Sequence, residues 1–330
     1  MTHAHIEIRN VSKRFTRKPS LIERGATSLG VAMPPPVVHA LDDVSLSVKR
    51  GEVLGLVGES GCGKSTLGRI ICGLIKPSSG QVIYEGRDLK DFSAPERLQR
   101  ELATQMIFQD PSSSLNPRQR IKEIVGAAAL HHKITNRREL SDFVDRQLER
   151  AGMDPATKQR FPHQFSGGQR QRIGIARALA VNPDVLVCDE SVAALDVSIQ
   201  AQILNLFLDL KEELGLTYVF ISHDLSVVKH ISDRVAVMYL GRVVEEAEVA
   251  ELFANPKHPY TQALLAEMPT IEAKSRTYAT VKGEIPSPLN PPKGCHFHPR
   301  CPMAIDRCRM EAPLLKSLEN GHKSACHLND

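Results

Sequence analysis

The sequence lacks a strong charge of either sign, any long hydrophobic segment and a recognisable leader. Its formal net charge is only +4 over 330 residues, which argues against a dedicated nucleic-acid-binding protein but leaves room for a local basic patch. No apolar run approaches the roughly 18 residues that cross a bilayer, so we expect no membrane span in this chain. The N-terminal stretch MTHAHIEIRN has no apolar core of the signal-peptide kind, which predicts a cytoplasmic chain.

The composition is that of a folded globular protein. Hydrophobic residues make up 42% of the chain and charged residues 24%, which excludes wholesale disorder. The length fits one large domain with an appendage, or two modest domains. No internal repeat is visible, so each motif described below occurs once.

The seven cysteines are unevenly distributed along the chain. Three are scattered, namely Cys62, Cys72 and Cys188. Four are crowded near the C-terminus, namely Cys295, Cys301, Cys308 and Cys326. In a reducing compartment, clustered cysteines favour a metal site over disulfides.

Hydrophobic periodicity predicts alternating strands and helices, and therefore an α/β fold. The segment HIEIRNVSKRF and residues 41–48 alternate as strands, and the Pro- and Gly-containing residues 17–38 between them are expected to form an inserted surface loop. Continuous apolar runs at 53–57, 185–188 and 218–221 predict buried strands. Helical spacing within 119–152 predicts a small all-helical insertion, and prolines accumulating from about residue 255 predict a loop-rich appendage.

A phosphate-binding loop follows the first buried strand. It matches G-x-x-x-x-G-K-[ST] at every position and reads Gly58, Glu59, Ser60, Gly61, Cys62, Gly63, Lys64, Ser65 and Thr66. The glycines allow backbone N–H groups to cradle an anion at a helix N-terminus. We expect Lys64 to reach the β- and γ-phosphates and Ser65 to bind Mg²⁺. Cys62 is expected to pack in the loop or offer its backbone N–H, without acting as a nucleophile.

Two carboxylates follow the next buried strand. Asp189 stands where a phosphate loop needs a Mg²⁺-holding carboxylate, and Glu190 would face the γ-phosphate and accept a proton from an attacking water. The alternative is that the pair only caps a helix. The phosphate loop weakens that alternative.

A third motif resembles the signature of the ATP-binding cassette (ABC) ATPases. It consists of Ser166, Gly167, Gly168 and Gln169, placed 23 residues before Asp189 and followed by an arginine-rich helix. Its helix N-terminus suits a γ-phosphate. The resemblance implies that this motif serves ATP bound to a partner subunit, so that two cassettes sandwich the nucleotide.

The same resemblance assigns further residues. It implies that Gln109 touches Mg²⁺ and water, that Asp196 lies in the dimer-interface loop and that Phe15 stacks on adenine. His223 matches the switch histidine, 33 residues after Glu190. The expected catalytic group is Lys64, Gln109, Glu190 and His223, and the expected Mg²⁺ ligands are Ser65, Gln109 and Asp189. Ser191 and Val192 depart from the family's usual Pro-Thr, with no expected loss of hydrolysis.

The resemblance also implies an architecture. We expect an ABC-ATPase domain over residues 1–265, with an antiparallel β subdomain and a helical subdomain at about 110–170. A C-terminal extension with the cysteine cluster would occupy residues 266–330. The intact motifs oppose a regulatory module that binds ATP without hydrolysis. A soluble ABC ATPase acting on DNA or ribosomes usually has two cassettes or a long coiled coil, and this chain has neither.

Within that family, the chain is most similar to ATPases of dipeptide and oligopeptide importers. Three strings carry the similarity, at residues 114–118 (SLNPR), 196–202 (DVSIQAQ) and 258–261 (HPYT). The implied partners are a second cassette (typically a paralogue), two membrane permeases and an extracytoplasmic peptide-binding protein, with no nucleic acid. The implied location is peripheral, on the cytoplasmic face of the bacterial inner membrane. Nickel, glutathione and opines are alternative cargoes.

The clustered cysteines have the spacing C-x5-C-x6-C-x17-C. This spacing alone does not identify which metal they would bind. Four thiolates suit a [4Fe–4S] cluster or a structural Zn²⁺, and the remaining alternative is four ordinary thiols. Some peptide-importer ATPases carry an iron–sulfur cluster at a similar place, which favours that cofactor. Four nearby histidines keep zinc open, namely His296, His298, His322 and His327. Either metal would be structural.

Overall fold

The structure is a computed structural model that describes residues 4–17, 35–268 and 283–330. Most of the surface loop predicted at residues 17–38 lies outside these described residues. Within them, no helix is both long enough and apolar enough to cross a lipid bilayer.

The described strands are numbered in chain order. They are β1 (Ala4–Thr16), β2 (Val37–Lys49), β3 (Val53–Val57), β4 (Ser79–Tyr84), β5 (Arg87–Asp88), β6 (Thr104–Ile107), β7 (Val185–Asp189), β8 (Thr217–Ile221), β9 (Arg234–Tyr239), β10 (Arg242–Glu248), β11 (Lys316–Ser317) and β12 (Lys323–Ser324).

The described α-helices are numbered in the same way. They are α1 (Lys64–Ile71), α2 (Ala94–Ala103), α3 (Pro111–Ser114), α4 (Ile121–His131), α5 (Leu140–Arg150), α6 (Gly167–Leu179), α7 (Val197–Leu214), α8 (Leu225–Ile231), α9 (Val249–Ala254), α10 (Pro259–Ala266) and α11 (Asp306–Met310). Short 3-10 helices occupy Leu89–Asp91, Pro155–Gln159, Pro162–Gln164, Glu319–Gly321 and His327–Asn329.

A small antiparallel sheet has the strand order β2-β1-β4-β5. The alternation of the first two strands places Ile6, Val11 and Val44 in a buried core, together with Leu54 and Leu56 of β3. This sheet therefore packs on the main sheet with its apolar side, as alternating strands require.

The large sheet has the order β11-β12-β10-β9-β3-β8-β7-β6. From β9 to β6 all neighbours are parallel, whereas β10 and the β11–β12 pair are antiparallel. Every residue of β3, β7 and β8 is buried, which explains their continuous apolar runs. The carboxyl ends of parallel strands meet at one sheet edge, where α/β proteins bind ligands.

The helical segment predicted within 119–152 is present as α4 and α5. Phe143 and Val144 of α5 share a core cluster with Ile124 and Val125 of α4 and Ile173 of α6. Helix α6 therefore joins this layer to the large sheet.

The C-terminal segment 283–330 has little regular structure, as its proline content predicts. It is nevertheless part of the main sheet, because β12 pairs antiparallel with β10 through Glu245–Ser324 and Glu246–Lys323. The proposed division at residues 265 and 266 falls at the end of α10 and stays a prediction.

A buried charge network ties the two sheets together. Arg234 on β9 donates to both carboxylate oxygens of Glu52, at 2.7 and 3.1 Å, and also to Glu246 and to the carbonyl oxygen of Ser47 on β2. Burial opposes the charge of Arg234, but the two glutamates outweigh it and raise the pKa of the guanidinium. Removing the cation would leave the buried Glu52 carboxylate without its cationic partner and the Glu246 carboxylate with Lys323 in its place.

We predict that Arg234→Leu lowers the free energy of unfolding by about 3–5 kcal/mol, because a broken buried pair strands its charges. Urea unfolding measures this. Arg9→Leu is the control, since Arg9 pairs with Glu7 at the exposed surface and should show no measurable loss. Equal stability of the two variants would contradict the assigned role of Arg234.

Candidate functional site

The phosphate loop occupies the turn from β3 into α1, as the sequence predicts. Gly58 has φ +146° and Gly63 has φ +106°, both outside the range that other residues readily adopt. A Cβ on Gly58 would lie 2.2 Å from the carbonyl oxygen of Met238, and one on Gly63 would lie 2.4 Å from that of Ala40. Glycine is therefore required at both positions for steric reasons.

The Lys64 side chain bonds to the backbone of this loop. Its Nζ donates to the carbonyl oxygens of Gly58 at 2.7 Å and Glu59 at 3.1 Å, and the residue is only 5% exposed. The backbone carbonyl oxygens of the loop thus hold the Lys64 ammonium beside the loop. Cys62 is buried in the loop, and this burial raises the pKa of its thiol, which disfavours the reactive thiolate.

Two of the three expected Mg²⁺ ligands, Ser65 and Asp189, meet directly. The Ser65 hydroxyl at the start of α1 donates to Asp189 Oδ1 at 2.8 Å. Burial at the end of β7 raises the pKa of Asp189, while the Ser65 hydrogen bond partly opposes the shift. A divalent cation would supply the positive charge that this buried carboxylate lacks.

Two of the expected catalytic side chains, those of Gln109 and His223, converge on a third, Glu190. Gln109 Nε2 donates to Glu190 Oε2 at 2.6 Å, and His223 Nδ1 lies 3.4 Å from Glu190 Oε1. The Glu190 backbone is held by a bond from its N–H to the carbonyl oxygen of Ile221 on β8. Its φ of +47° is a left-handed conformation that glutamate rarely adopts. The fold thus aims this carboxylate at the strand edge despite a backbone cost.

Ser191 and Val192, the departures from the family pattern, are both buried. Val192 packs in the core with Phe220 and Ile203. The side chains of the two departures therefore lie in the interior, whereas Glu190 and His223 line the site.

The signature residues lie on an exposed surface instead. Ser166 caps α6 in a capping box, in which its hydroxyl accepts from Gln169 N and Gln169 Oε1 accepts from Ser166 N. Gly168 allows α6 to contact α7, because a Cβ there would lie 2.4 Å from Ile199 Cγ2. Gly167 is also exposed and its N–H belongs to the first turn of the helix.

Asp196 begins α7 on the same side as the signature. Its side chain makes no capping hydrogen bond, and the neighbouring Val197 is 84% exposed. An uncapped carboxylate beside an exposed valine leaves both side chains available for contact with another chain.

Phe15, the expected adenine platform, lies on β1 with its ring 41% exposed. The ammonium of Lys13 stands 5.0 Å from the ring centroid. Its role in adenine binding stays a prediction.

Sequence reasoning missed two residues that contact the phosphate loop from the C-terminal region. The Tyr260 hydroxyl accepts from the Glu59 N–H at 2.9 Å. Arg300 donates to both carboxylate oxygens of Glu59, at 2.7 and 3.0 Å. Tyr260 belongs to the HPYT string, but no periodicity or spacing relates Arg300 to a loop so distant along the chain.

The four clustered cysteines line one pocket, together with His258, Phe297, His298, Met303 and His327. Backbone pairing of Cys295 N with Cys308 O at 2.8 Å brings two of them together. Burial raises the pKa of Cys295 to about 11. Among the residues that the structure describes, no three His, Cys, Asp or Glu side chains are arranged to hold a single metal ion.

Comparison with known proteins identifies the family. Residues 41–193 match the ABC transporter model, and residues 244–308 match the C-terminal region of oligopeptide/dipeptide transporters. An oligopeptide transport ATP-binding protein of Bacillus subtilis, AppF, is 49% identical over 98% of this chain and 97% of its own. The chain belongs to the ATP-binding subunits of ABC transporters.

Further ABC proteins are similar to this chain in sequence or in structure. A putative peptide import ATP-binding protein of Brucella ovis is 51% identical over 87% of this chain and 90% of its own. The solved structure of cbiO1 from Clostridium perfringens has TM-score 0.63 and 29% identity, covering 76% of this chain and 91% of that one. A dimeric cassette, MJ0796 bound to ADP and Pi, has TM-score 0.62 and 28% identity, covering 74% and 98%.

These comparisons confirm the resemblance, the α/β cassette fold and the ATPase class. ATP and Mg²⁺ are accordingly the ligands of this ABC site.

We predict that Gly58→Ala weakens MgADP binding by this ABC subunit by about tenfold or more, because the loop must shift to relieve a 2.2 Å contact with backbone. Equilibrium titration measures it. Gly215→Ala is the control, because Gly215 also has a positive φ, of +66°, but an added Cβ there would have no atom within 4 Å. The control should bind normally, and normal binding by Gly58→Ala would contradict the prediction.

Proposed function

We propose that this chain hydrolyses ATP to power the import of peptides across the cytoplasmic membrane. The observation that carries the proposal is the joint match of the cassette and of the oligopeptide/dipeptide C-terminal region. AppF and the Brucella protein are named for peptide transport, and the likeness to AppF extends over almost the whole chain. The alternative cargoes, nickel, glutathione and opines, are not favoured by these similarities, and an uptake experiment can separate them from peptides.

In the proposed reaction, Glu190 accepts a proton from the water that attacks the γ-phosphate. His223 and Gln109, both within reach of the Glu190 carboxylate, orient it and the water. Lys64 and the N–H groups of residues 58–66 neutralise the phosphate oxygens.

Ser65, Asp189 and Gln109 would hold Mg²⁺. The direct bond between Ser65 and Asp189 supports this ligand set, since both oxygens already face one point. When bound, the ion supplies positive charge to the β- and γ-phosphate oxygens.

The proposal includes a second cassette, expected to be a paralogue. Ser166 and Gln169 at the exposed start of α6, with Asp196 and Val197 beside them, form a surface suited to another subunit's nucleotide. A helix N-terminus attracts a γ-phosphate, so this surface would complete the partner's site.

The remaining proposed partners are two membrane permeases and an extracytoplasmic peptide-binding protein. The helical layer α4–α5 is the element that would receive the permeases, by the family resemblance. The chain would then lie peripherally on the cytoplasmic face of the inner membrane, with no nucleic-acid partner.

We also propose a [4Fe–4S] cluster at Cys295, Cys301, Cys308 and Cys326. The donor set fits, because all four thiols line one pocket. Four thiolates are the donor set of such a cluster. The cluster would be structural, since its thiolates would join parts of the C-terminal segment between residues 295 and 326.

We predict that Glu190→Gln binds ATP but hydrolyses it about 10²–10⁴-fold more slowly, because an amide cannot take the proton. The rate of ATP hydrolysis is measured with the purified protein. The same substitution in the chromosomal gene should abolish uptake of labelled di- and oligopeptides and leave uptake of Ni²⁺ and glutathione unchanged. Glu212→Gln, an exposed substitution on α7, is the control.

Unchanged hydrolysis by Glu190→Gln would exclude Glu190 as the base. Loss of nickel or glutathione uptake with intact peptide uptake would exclude peptides as cargo while keeping the ATPase mechanism.

For the cysteine pocket, anaerobic purification should give four iron and four sulfide per chain, with visible absorbance that Cys295→Ser or Cys301→Ser abolishes. Cys72→Ser is the control, since Cys72 is buried away from the pocket, in the core under the small sheet. Stoichiometric zinc, or a protein with no metal, would contradict the cluster.

A further inference from the structure

We propose that Arg300 is a positioning residue for nucleotide binding, which makes the C-terminal segment 283–330 part of the ATP site. Through Glu59, Arg300 would keep the phosphate loop in its anion-binding form. The proposal rests on the ATP binding of this family and is independent of the cargo.

The contact between Arg300 and Glu59 is bidentate. Nη1 donates to Oε2 at 2.7 Å and Nη2 donates to Oε1 at 3.0 Å. The Arg300 side chain is 7% exposed and that of Glu59 is 25% exposed. A planar guanidinium that meets a carboxylate with both arms fixes the direction of the carboxylate as well as its charge.

The surroundings restrict Arg300 to this geometry. The guanidinium lies 5.8 Å from the ring centroid of Tyr239, and Nη1 is 3.4 Å from the Tyr239 hydroxyl. The Tyr239 ring is in turn packed against Tyr260 at 4.7 Å and Phe297 at 5.2 Å. Arg300 therefore contacts Glu59 from a position beside packed aromatic rings.

Glu59 is held at its backbone as well. Its N–H donates to the Tyr260 hydroxyl at 2.9 Å, while its carbonyl oxygen accepts from Lys64 Nζ. A third link joins the loop to the turn after β9, where Gly241 N donates to the carbonyl oxygen of Cys62 at 2.9 Å. The loop conformation thus depends on residues that are far away in sequence.

The charge of Glu59 explains why such support matters. A carboxylate at the second position of a phosphate loop would repel a polyphosphate if it turned toward the ligand. Arg300 neutralises this carboxylate and directs it to the C-terminal segment, so the anion meets the loop N–H groups and Lys64. Losing Arg300 would free the carboxylate and remove one of the contacts that hold the loop.

Equilibrium titration of the full chain with MgADP tests the proposal. Arg300→Gln should weaken binding by about tenfold or more, within the range of coupling between sites. Arg300→Lys should restore part of the affinity, since it keeps the charge but loses the bidentate geometry. Arg309→Gln is the matched control, because Arg309 is an exposed arginine of the same segment. It should bind like the unchanged protein.

A double-mutant cycle separates positioning from general destabilisation. In a Glu59→Gln background, Arg300→Gln should cost about twofold or less, because its partner is already changed. The same loss in both backgrounds, or unchanged binding by Arg300→Gln, would overturn the proposal. If Arg300→Gln does not fold, as judged by thermal melting, the cycle is run with Arg300→Lys, which must then lose its effect in the Glu59→Gln background.

The test also distinguishes this inference from the proposed transport function. MgADP binding needs neither hydrolysis nor peptide, so a failed uptake experiment leaves it intact. Weak MgADP binding by Arg300→Gln, together with the expected loss of peptide uptake in the Glu190→Gln strain, would support both the role of Arg300 and the transport function.

Discussion

Three neighbouring parallel strands, β3, β7 and β8, end at one edge of the large sheet, and the rest of the site depends on this alignment. The register places Leu56 beside Ile221, and Asp189 beside the same Ile221. The phosphate loop, Asp189 and His223 follow these three ends. Because parallel strands run in the same direction, their backbone pairing alone brings the residues at and after their carboxyl ends to one edge of the sheet. The bond from Glu190 N to Ile221 O fixes the remaining carboxylate to the same edge.

Local chemistry made this part predictable from sequence. The glycines of the loop, the buried apolar runs and the Asp-Glu pair each carry their own signal over a few residues. The loop-rich C-terminal segment is equally visible in its prolines. By contrast, the pairing of β12 with β10 and the contact of Arg300 with Glu59 join residues far apart in sequence. Nothing local encodes them, because they arise only when the sheet has placed the segment beside the loop.

The proposed second cassette accounts for the exposure of the signature. The side chains of Ser166 and Gln169 bond to each other's backbone N–H groups at the start of α6, and both residues are exposed. A helix N-terminus with free N–H groups attracts an anion. This is the reason for proposing that the surface serves a nucleotide carried by another subunit.

Polar contacts and apolar packing together attach the C-terminal segment, whose Phe297 belongs to a core cluster with Tyr239 and Tyr260. His322 Nε2 lies 2.6 Å from Glu245 Oε1, with both side chains at most 1% exposed, and Arg300, 7% exposed, meets Glu59, which is 25% exposed. Apolar packing could supply equal stability, because desolvation offsets much of the gain from a buried ion pair. Apolar contacts, however, tolerate sliding, whereas a bidentate pair does not. The bidentate pair of Arg300 and Glu59 therefore suits a role in orienting the phosphate loop, which apolar packing alone would not fix.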